Sequence, residues 1–114
     1  MKKFISLPYI FVMVLSLMLV GCQGGETIKI GTLLDKTGDL GSYGPPMEIG
    51  ADLAIKLLQD AGVDIVKVPG DSGTANQKSI AEATRLIDIE GVDAIVGSLS
   101  SGVTMATAIA VTIP

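Results

Sequence analysis

The residues that could carry covalent chemistry lie at the end of an apolar N-terminal run. Lys2 and Lys3 precede an uncharged stretch of residues 4–20, which closes with Leu19-Val20-Gly21-Cys22. A charged start, an apolar middle and a small-residue end form the layout of a secretory signal. The terminal cysteine adds the pattern of a lipobox, in which a diacylglycerol is attached to the Cys22 sulfur and the chain is cut before that residue. The sequence therefore predicts an exported lipoprotein that is anchored by lipid to a membrane surface.

The alternative for the same run is a transmembrane helix from Phe4 to about Gly21, which is roughly the minimum length that spans a bilayer. Pro8 interrupts this run, and a Gly-rich stretch follows it in place of a basic flank. We therefore expect a signal peptide at residues 1–21, a lipid-anchored tether at 22–26 and a small domain at 27–114.

A second segment, Gly97 to Thr104, offers binding chemistry. Its sequence GSLSSGVT matches the phosphate-binding pattern G-x-x-x-x-G-K-[ST] except at Val103, where the lysine that faces the phosphates is required. The sequence thus argues against nucleotide binding. What remains is a compact, neutral anion site, formed by Ser100, Ser101 and the backbone N–H groups at the start of a helix, and it suits a carboxylate. The alternative is that one of these serines only caps the helix.

Composition argues against several other chemistries. The chain has no histidine, which removes the most common general base and the usual zinc ligand. Its single cysteine is the one in the lipobox, so the sequence offers neither a disulfide nor a cysteine metal site. Of the 8 basic residues, Lys2 and Lys3 fall in the signal, which leaves 6 against 12 acidic residues and makes nucleic acid a poor partner. We expect no enzyme activity and no cofactor.

Two further side chains lie in predicted loops. Tyr43 is the only aromatic residue after the signal, and it either packs or lines a cleft. Asp71 has no partner base or second carboxylate at a useful spacing, so we interpret it as a turn or cap residue. In the same turn, Ser72 or Thr74 is a candidate cap for the helix that follows.

Hydrophobic periodicity and turn residues place these side chains on alternating strands and helices. We predict strands at residues 27–34, 63–68 and 92–99, and helices at residues 47–61, 75–90 and 103–111. In the first helix, Met47, Ala51, Ala54, Leu58 and Ala61 should face inward. The run Ala94-Ile95-Val96 is apolar enough for a strand that is buried on both faces.

This β-α-β-α-β-α order predicts an α/β fold, an open parallel sheet built from βαβ units. Ligands of such sheets bind beyond the carboxyl ends of the strands, so the loops after Leu34, Val68 and Leu99 should share one edge. A three-stranded sheet also leaves a strand edge unpaired, which favours self-association. We therefore expect the chain alone to fold weakly or to oligomerise.

Several segments together resemble one known family, the type I solute-binding proteins of ABC transporters that act as branched-chain amino acid receptors. The resemblance extends over residues 27–114 and rests on IKIGTLL at 28–34, Thr37-Gly38, Tyr43-Gly44, Gly50-Ala51, GDSGT at 70–74 and GVDAIVGSLSS at 91–101. It implies half of the first lobe of a type I periplasmic binding protein fold. It also implies an ABC importer permease as a partner and leucine, isoleucine, valine or a similar amino acid as the ligand.

The resemblance also implies roles for individual residues. Ser101 matches a serine that hydrogen-bonds the carboxylate of the ligand, Tyr43 matches a tyrosine that lines the cleft, and Thr104 lies where the family often has a hydroxyl near the ligand. Family members are several times longer than this chain and enclose the ligand between two lobes. Two interpretations follow: a lipid-anchored receptor on the outer side of the cytoplasmic membrane or in the periplasm, or a truncated lipoprotein that has lost ligand capture and serves as an interaction protein.

Overall fold

The computed structural model describes residues 25–112, so the predicted signal peptide and Cys22 lie outside the described residues. Three parallel strands form one sheet in the order β2-β1-β3, with β1 at Ile28–Leu34, β2 at Ile65–Asp71 and β3 at Ala94–Gly97. In the register of the central strand, Gly31 lies between Val68 of β2 and Ile95 of β3. The predicted α/β class and parallel sheet are confirmed.

Three helices connect and follow the strands. They are α1 at Gly44–Asp60, α2 at Asn76–Thr84 and α3 at Ser101–Thr107; α2 continues as a π-helical turn at Arg85–Ile89, and α3 continues as one at Ala108–Thr112. A single 3-10 turn, Gly41–Tyr43, leads into α1. The helix α1 begins three residues earlier than predicted, because Pro45 and Pro46 occupy its first turn, where proline's missing N–H costs no helical hydrogen bond.

The central core lies between the sheet and the helices α2 and α3. Leu33, Ala83 and Leu86 are fully buried there, and Val68, Val92, Ile95 and Val111 pack around them. Within this layer the hydroxyls of Ser79 and Thr107 hydrogen-bond at 2.7 Å and join α2 to α3. The helix α1 packs on the opposite face, over β1 and β2.

The strand β2 differs from its prediction, because it continues through Pro69 and Gly70 to Asp71. Pro69 pairs with Thr32, and the strand lies at the edge of the sheet. A proline on an edge strand can turn its missing N–H away from the ladder, so it does not interrupt the pairing.

The prediction that β3 is buried on both faces is wrong. Ala94 and Val96 are exposed, and only Ile95 is partly buried. Val96 pairs with Thr32, whose side chain contacts Glu48 of α1, so Val96 faces the layer of α1. Because α1 covers β1 and β2 but not β3, that face of β3 stays open.

The inward face predicted for α1 is also partly wrong. Met47 and Ala51 are partly buried as predicted, whereas Ala54, Leu58 and Ala61 are exposed. Glu48, which lies outside the predicted inward face, accepts hydrogen bonds from Thr32 and Lys67 in the sheet. Lys67 also pairs with Asp52, so α1 rests on the sheet partly through charges.

Candidate functional site

The two strands that border the candidate site are β1 and β3. In the order β2-β1-β3, the chain goes from the central strand β1 to β2 at one edge of the sheet. It then crosses back to β3, which lies on the other side of β1, so the direction of strand addition reverses between β1 and β3. In such doubly wound sheets ligands bind at this reversal, beyond the carboxyl ends of the strands. The predicted loops share this edge, although the strands end at Leu34, Asp71 and Gly97.

A buried carboxylate, Asp35, joins the loops that follow all three strands. It is 0% exposed. One carboxylate oxygen accepts hydrogen bonds from the Ser72 hydroxyl at 2.6 Å and the Thr74 N–H at 3.0 Å. The other oxygen accepts the Leu99 N–H at 2.8 Å. Burial alone would raise the pKa of Asp35, but these hydrogen bonds stabilise the ionised form and lower its pKa below the usual value.

A second carboxylate, Asp71, ends β2 and binds the loop after β1. Its oxygens accept hydrogen bonds from the N–H groups of Lys36, Thr37 and Gly73 and from the Thr37 hydroxyl. Lys78 adds an ion pair. Burial opposes ionisation, but these donors outweigh it and hold the pKa of Asp71 well below its ordinary range. The turn role predicted for Asp71 agrees with these contacts.

The predicted caps of α2 do not cap it. Ala75 occupies the N-cap position, where no side chain hydrogen-bonds the helix. The Ser72 hydroxyl donates to Asp35 instead. The Thr74 hydroxyl accepts the Leu40 N–H at 3.1 Å, so it also serves the loop after β1. The hydroxyls of Ser72 and Thr74 therefore hydrogen-bond Asp35 and Leu40 in the loop after β1, and not the N–H groups of α2.

The serines of the predicted anion site lie at the start of α3. Ser100 is the N-cap residue, but its hydroxyl makes no capping hydrogen bond, and Ser101 is the first helical residue and is exposed. Within residues 25–112, neither hydroxyl has a hydrogen-bond partner, so capping does not occupy them. Ser101 is exposed and Ser100 is partly buried, and both lie next to the N–H groups of the first helical turn. Their contact with a ligand stays a prediction.

The hydroxyl of Thr104 has a different environment. It accepts the Ser98 N–H at 3.2 Å and donates to the Ser100 carbonyl at 2.9 Å. It therefore shapes the loop between β3 and α3 from the first turn of the helix. A direct ligand contact by Thr104 remains a prediction that would use this hydroxyl for a further hydrogen bond.

Tyr43 follows the loop after β1 and directly precedes α1. Its side chain is 56% exposed, and it is the residue before α1. The next residue, Gly44, lies directly against the Asp35 carbonyl, only 2.5 Å from where a Cβ would stand. Gly44, next to Tyr43, and Leu99, two residues before Ser101, therefore both lie against Asp35, although they are far apart in sequence.

A small cavity lies behind this edge. It measures about 180 Å³. Its lining combines apolar side chains with hydroxyls: Leu33, Ile95, Gly97, Ser98, Thr104, Thr107 and Ala108. It shares Thr104 with the predicted site, whereas Ser100, Ser101 and Tyr43 lie outside the lining.

Two other kinds of feature are missing from the described chain. No helix within residues 25–112 combines the length and apolar character needed to cross a bilayer. In the same range, the acidic residues form no group that could hold a metal ion.

Sequence reasoning missed Asp35 as the residue that joins the loops. The available signal was its position, since an acidic residue directly after a buried apolar strand must lie at the carboxyl edge of the sheet. The identity of its partners could not be read, because Ser72 and Leu99 are 37 and 64 residues away in sequence.

The fold and this edge define a class: a doubly wound α/β ligand-binding domain with its candidate site at the reversal of strand order. A family model described as "Periplasmic binding protein" matches residues 27–112. The chain therefore belongs to the periplasmic binding protein family.

Individual relatives agree with this assignment. The Leu/Ile/Val-binding protein homolog 7 of Brucella abortus (strain 2308) is 39% identical over 79 residues, which are 66% of this chain and 20% of that protein. The LivJ substrate-binding protein of Streptococcus pneumoniae, solved with isoleucine, matches with a TM-score of 0.70 and 32% identity over 76% of this chain. A solute-binding protein of R. palustris, solved with benzoate, matches with a TM-score of 0.60 and 29% identity over 74% of this chain.

These relatives are much longer than the chain. It covers 20% of the Brucella protein, 26% of the streptococcal one and 24% of the R. palustris one. The chain therefore corresponds to one portion of these relatives, and the part that the family model matches, residues 27–112, includes the strand edge described above.

Proposed function

We propose that the chain belongs to an extracytoplasmic substrate-binding lipoprotein that captures a branched-chain amino acid or a related small carboxylate. The observation that carries this proposal is the exposed start of α3, where the hydroxyls of Ser100 and Ser101 have no partner among the described residues. A helix N-terminus with free N–H groups attracts an anion, and two hydroxyls add donors without adding charge.

The ligands of two solved relatives fit this chemistry. Isoleucine in the streptococcal protein and benzoate in the R. palustris protein share a carboxylate and little else. A site that recognises the carboxylate at the start of α3 would serve both. The rest of the site then selects the ligand, and the exposed Tyr43 is our candidate for that role.

Anchoring and partner follow from the same proposal. The lipobox that ends at Cys22 would hold the mature protein at the membrane by lipid, and delivery would be to the permease of an ABC importer. Membership of the periplasmic binding protein family supports an extracytoplasmic location. Labelling cells with a radioactive fatty acid would test the anchor, since Cys22→Ser should abolish incorporation.

The test of ligand capture starts from the gene. It should be sequenced through and beyond the Pro114 codon, and the polypeptide that it encodes should be titrated with leucine, isoleucine, valine and benzoate by calorimetry. We expect one of these carboxylates to bind. Ser101→Ala should raise its Kd about tenfold, because one hydrogen bond to the charged carboxylate is lost.

Ser42→Ala is the matched control, since Ser42 is an exposed serine in the 3-10 turn with no assigned role. Equal effects of the two substitutions would contradict the assignment of Ser101. If the unsubstituted protein bound none of the four compounds, ligand capture would be wrong, and the interpretation as an interaction lipoprotein would be favoured.

A further inference from the structure

The buried carboxylate of Asp35 has no part in the function proposed above. It is 0% exposed, and it makes no ion pair with the described residues. A buried charge without a cation is costly unless its hydrogen bonds compensate for lost hydration. Its partners are neutral donors, namely the Ser72 hydroxyl and the N–H groups of Thr74 and Leu99.

These donors divide between the two carboxylate oxygens. Ser72 and Thr74, both from the loop after β2, share one oxygen, and Leu99 alone occupies the other at 2.8 Å. The Leu99 N–H belongs to the loop between β3 and α3, two residues before Ser101. Hydrogen bonds to ionised acceptors are shorter and stronger than neutral ones. The orientation of the Asp35 side chain therefore fixes where this loop starts its turn into α3.

The geometry points to Asp35 as a positioning residue, whose carboxylate holds the loop between β3 and α3 so that Ser101 is placed to receive a ligand carboxylate. This inference rests on the function proposed above. Asp35 touches no ligand in this arrangement, and it acts through the Leu99 N–H. Hydroxyls at a helix start bind tightly only when they are already in place, because ordering them on binding costs affinity.

Asp35→Asn tests the inference because it keeps the shape of the side chain but cannot accept hydrogen bonds on both of its ends. An amide has one acceptor oxygen, and its NH2 group can only donate, so either the Leu99 N–H or the Thr74 N–H loses its acceptor, depending on how the amide turns. Asp35→Ala removes the acceptor from both. The matched control is Ser72→Ala, which removes a hydrogen bond from the other oxygen and leaves the bond to Leu99 intact.

We expect Asp35→Asn to weaken binding of the ligand found for the unsubstituted protein about tenfold, and Ser72→Ala to change it less than about twofold. Both variants should lower the thermal midpoint of unfolding, because both remove a hydrogen bond of the buried Asp35 side chain. The change in midpoint measures this loss of stability separately from the change in affinity. If Ser72→Ala loses as much affinity as Asp35→Asn, or if Asp35→Ala and Asp35→Asn both bind like the unsubstituted protein, Asp35 is a structural residue only.

Amide hydrogen exchange measured by NMR decides the inference when Asp35→Asn does not fold or when no ligand is found. In the unsubstituted protein, the Leu99 amide should exchange as slowly as the Thr74 amide, although it lies in a loop. Exchange of Leu99 at the rate of a free loop amide would overturn the inference. A protected Leu99 amide together with no binding of leucine, isoleucine, valine or benzoate would instead reject the proposed function and leave the loop contact established.

Discussion

Two carboxylates at the ends of neighbouring strands have different structural roles. Asp35 connects the loops after all three strands, whereas Asp71 connects the loop after β1 to the turn after β2 and pairs with Lys78. The sequence points to a turn role for Asp71, whereas the role of Asp35 follows only from the structure. A carboxylate that ends a parallel strand meets backbone N–H groups of adjacent loops, so it can be ionised and buried without any catalytic task.

The pKa of Asp71 predicts how stability depends on pH. Its pKa in the folded chain lies well below the ordinary value of about 3.9 in an unfolded chain. A lowered folded-state pKa contributes stability that is fully present above the unfolded value and is lost as the pH falls through the folded one. Stability should therefore decrease on acidification below about pH 4.

Asp71→Asn should destabilise the chain at pH 7 by about 1–3 kcal/mol, because several donors lose a charged acceptor. It should also flatten the loss of stability between neutral and acidic pH, as measured by urea unfolding at each pH. Asp88→Asn, which removes an exposed carboxylate on the π-helical turn that follows α2, is the control. An Asp71→Asn profile parallel to that of the unsubstituted chain would show that Asp71 contributes nothing to the pH dependence.

Individual site residues were predicted from sequence only as far as their position along the chain. Placing Ser101 at the start of a helix required only the apolar run that follows it and the turn before it. That Ser100 does not cap this helix could not be predicted, since a cap depends on backbone angles at one residue. Likewise, Ser72 and Thr74 resembled caps because the pattern S/T before a helix does not reveal competing partners such as Asp35.

At the scale of elements, the order and type of strands and helices could be predicted because their hydrophobic periods differ. Which face of each element is buried could not be predicted. The face of α1 was misassigned because Glu48 is polar in sequence but meets Lys67, which projects from β2 toward the helix. The burial of β3 is lower than predicted, because an apolar run does not reveal whether its strand lies at the edge or in the middle of a sheet.

The start of α1 is held by a close backbone contact at Gly44. A Cβ there would lie 2.5 Å from the Asp35 carbonyl oxygen and 2.8 Å from the Lys36 Cα, both backbone atoms that cannot move aside cheaply. Gly44→Ala should therefore displace α1 from the loop after β1 and destabilise the chain by about 1–3 kcal/mol.

Gly50→Ala on the same helix is the matched control, because a Cβ at Gly50 meets nothing within 4 Å. It should stabilise the chain by about 0.5–1 kcal/mol, the usual gain when alanine replaces glycine inside a helix. Urea unfolding of the two variants would measure both changes. If Gly44→Ala were as stable as Gly50→Ala, the contact between α1 and Asp35 would be looser than the structure shows.

At the scale of the whole molecule, apolar side chains remain exposed on both layers of helices. On α1, Ile49, Leu53 and Leu57 are 70%, 57% and 59% exposed and follow one another at intervals of four residues. We name these three residues the α1 outer stripe. On the other layer, Met105 and Ile109 of the α3 segment are 66% and 63% exposed. The fully buried apolar core, in contrast, comprises few residues.

The α1 outer stripe and the open face of β3 predict self-association of the 114-residue chain. Contiguous exposed apolar surface favours contact between copies, and β3 adds an unpaired strand edge. In sedimentation velocity, the chain should form species larger than a monomer, and their fraction should rise with concentration. Leu53→Lys with Leu57→Lys should shift it toward the monomer, since two lysines cannot be buried unpaired in a contact.

Gln77→Lys with Ala81→Lys is the control, because it places the same charges at the same spacing on exposed positions of α2. If both double variants reduced association equally, net charge rather than the α1 outer stripe would be responsible, and the strand edge would become the remaining contact. A monomer with a sharp and reversible melting transition, at every concentration tested, would contradict the prediction. The sheet and the two helical layers would then be stable while both apolar faces stay exposed. Burial of the core around Leu33, Ala83 and Leu86 would by itself have to exceed the conformational entropy that the chain loses on folding.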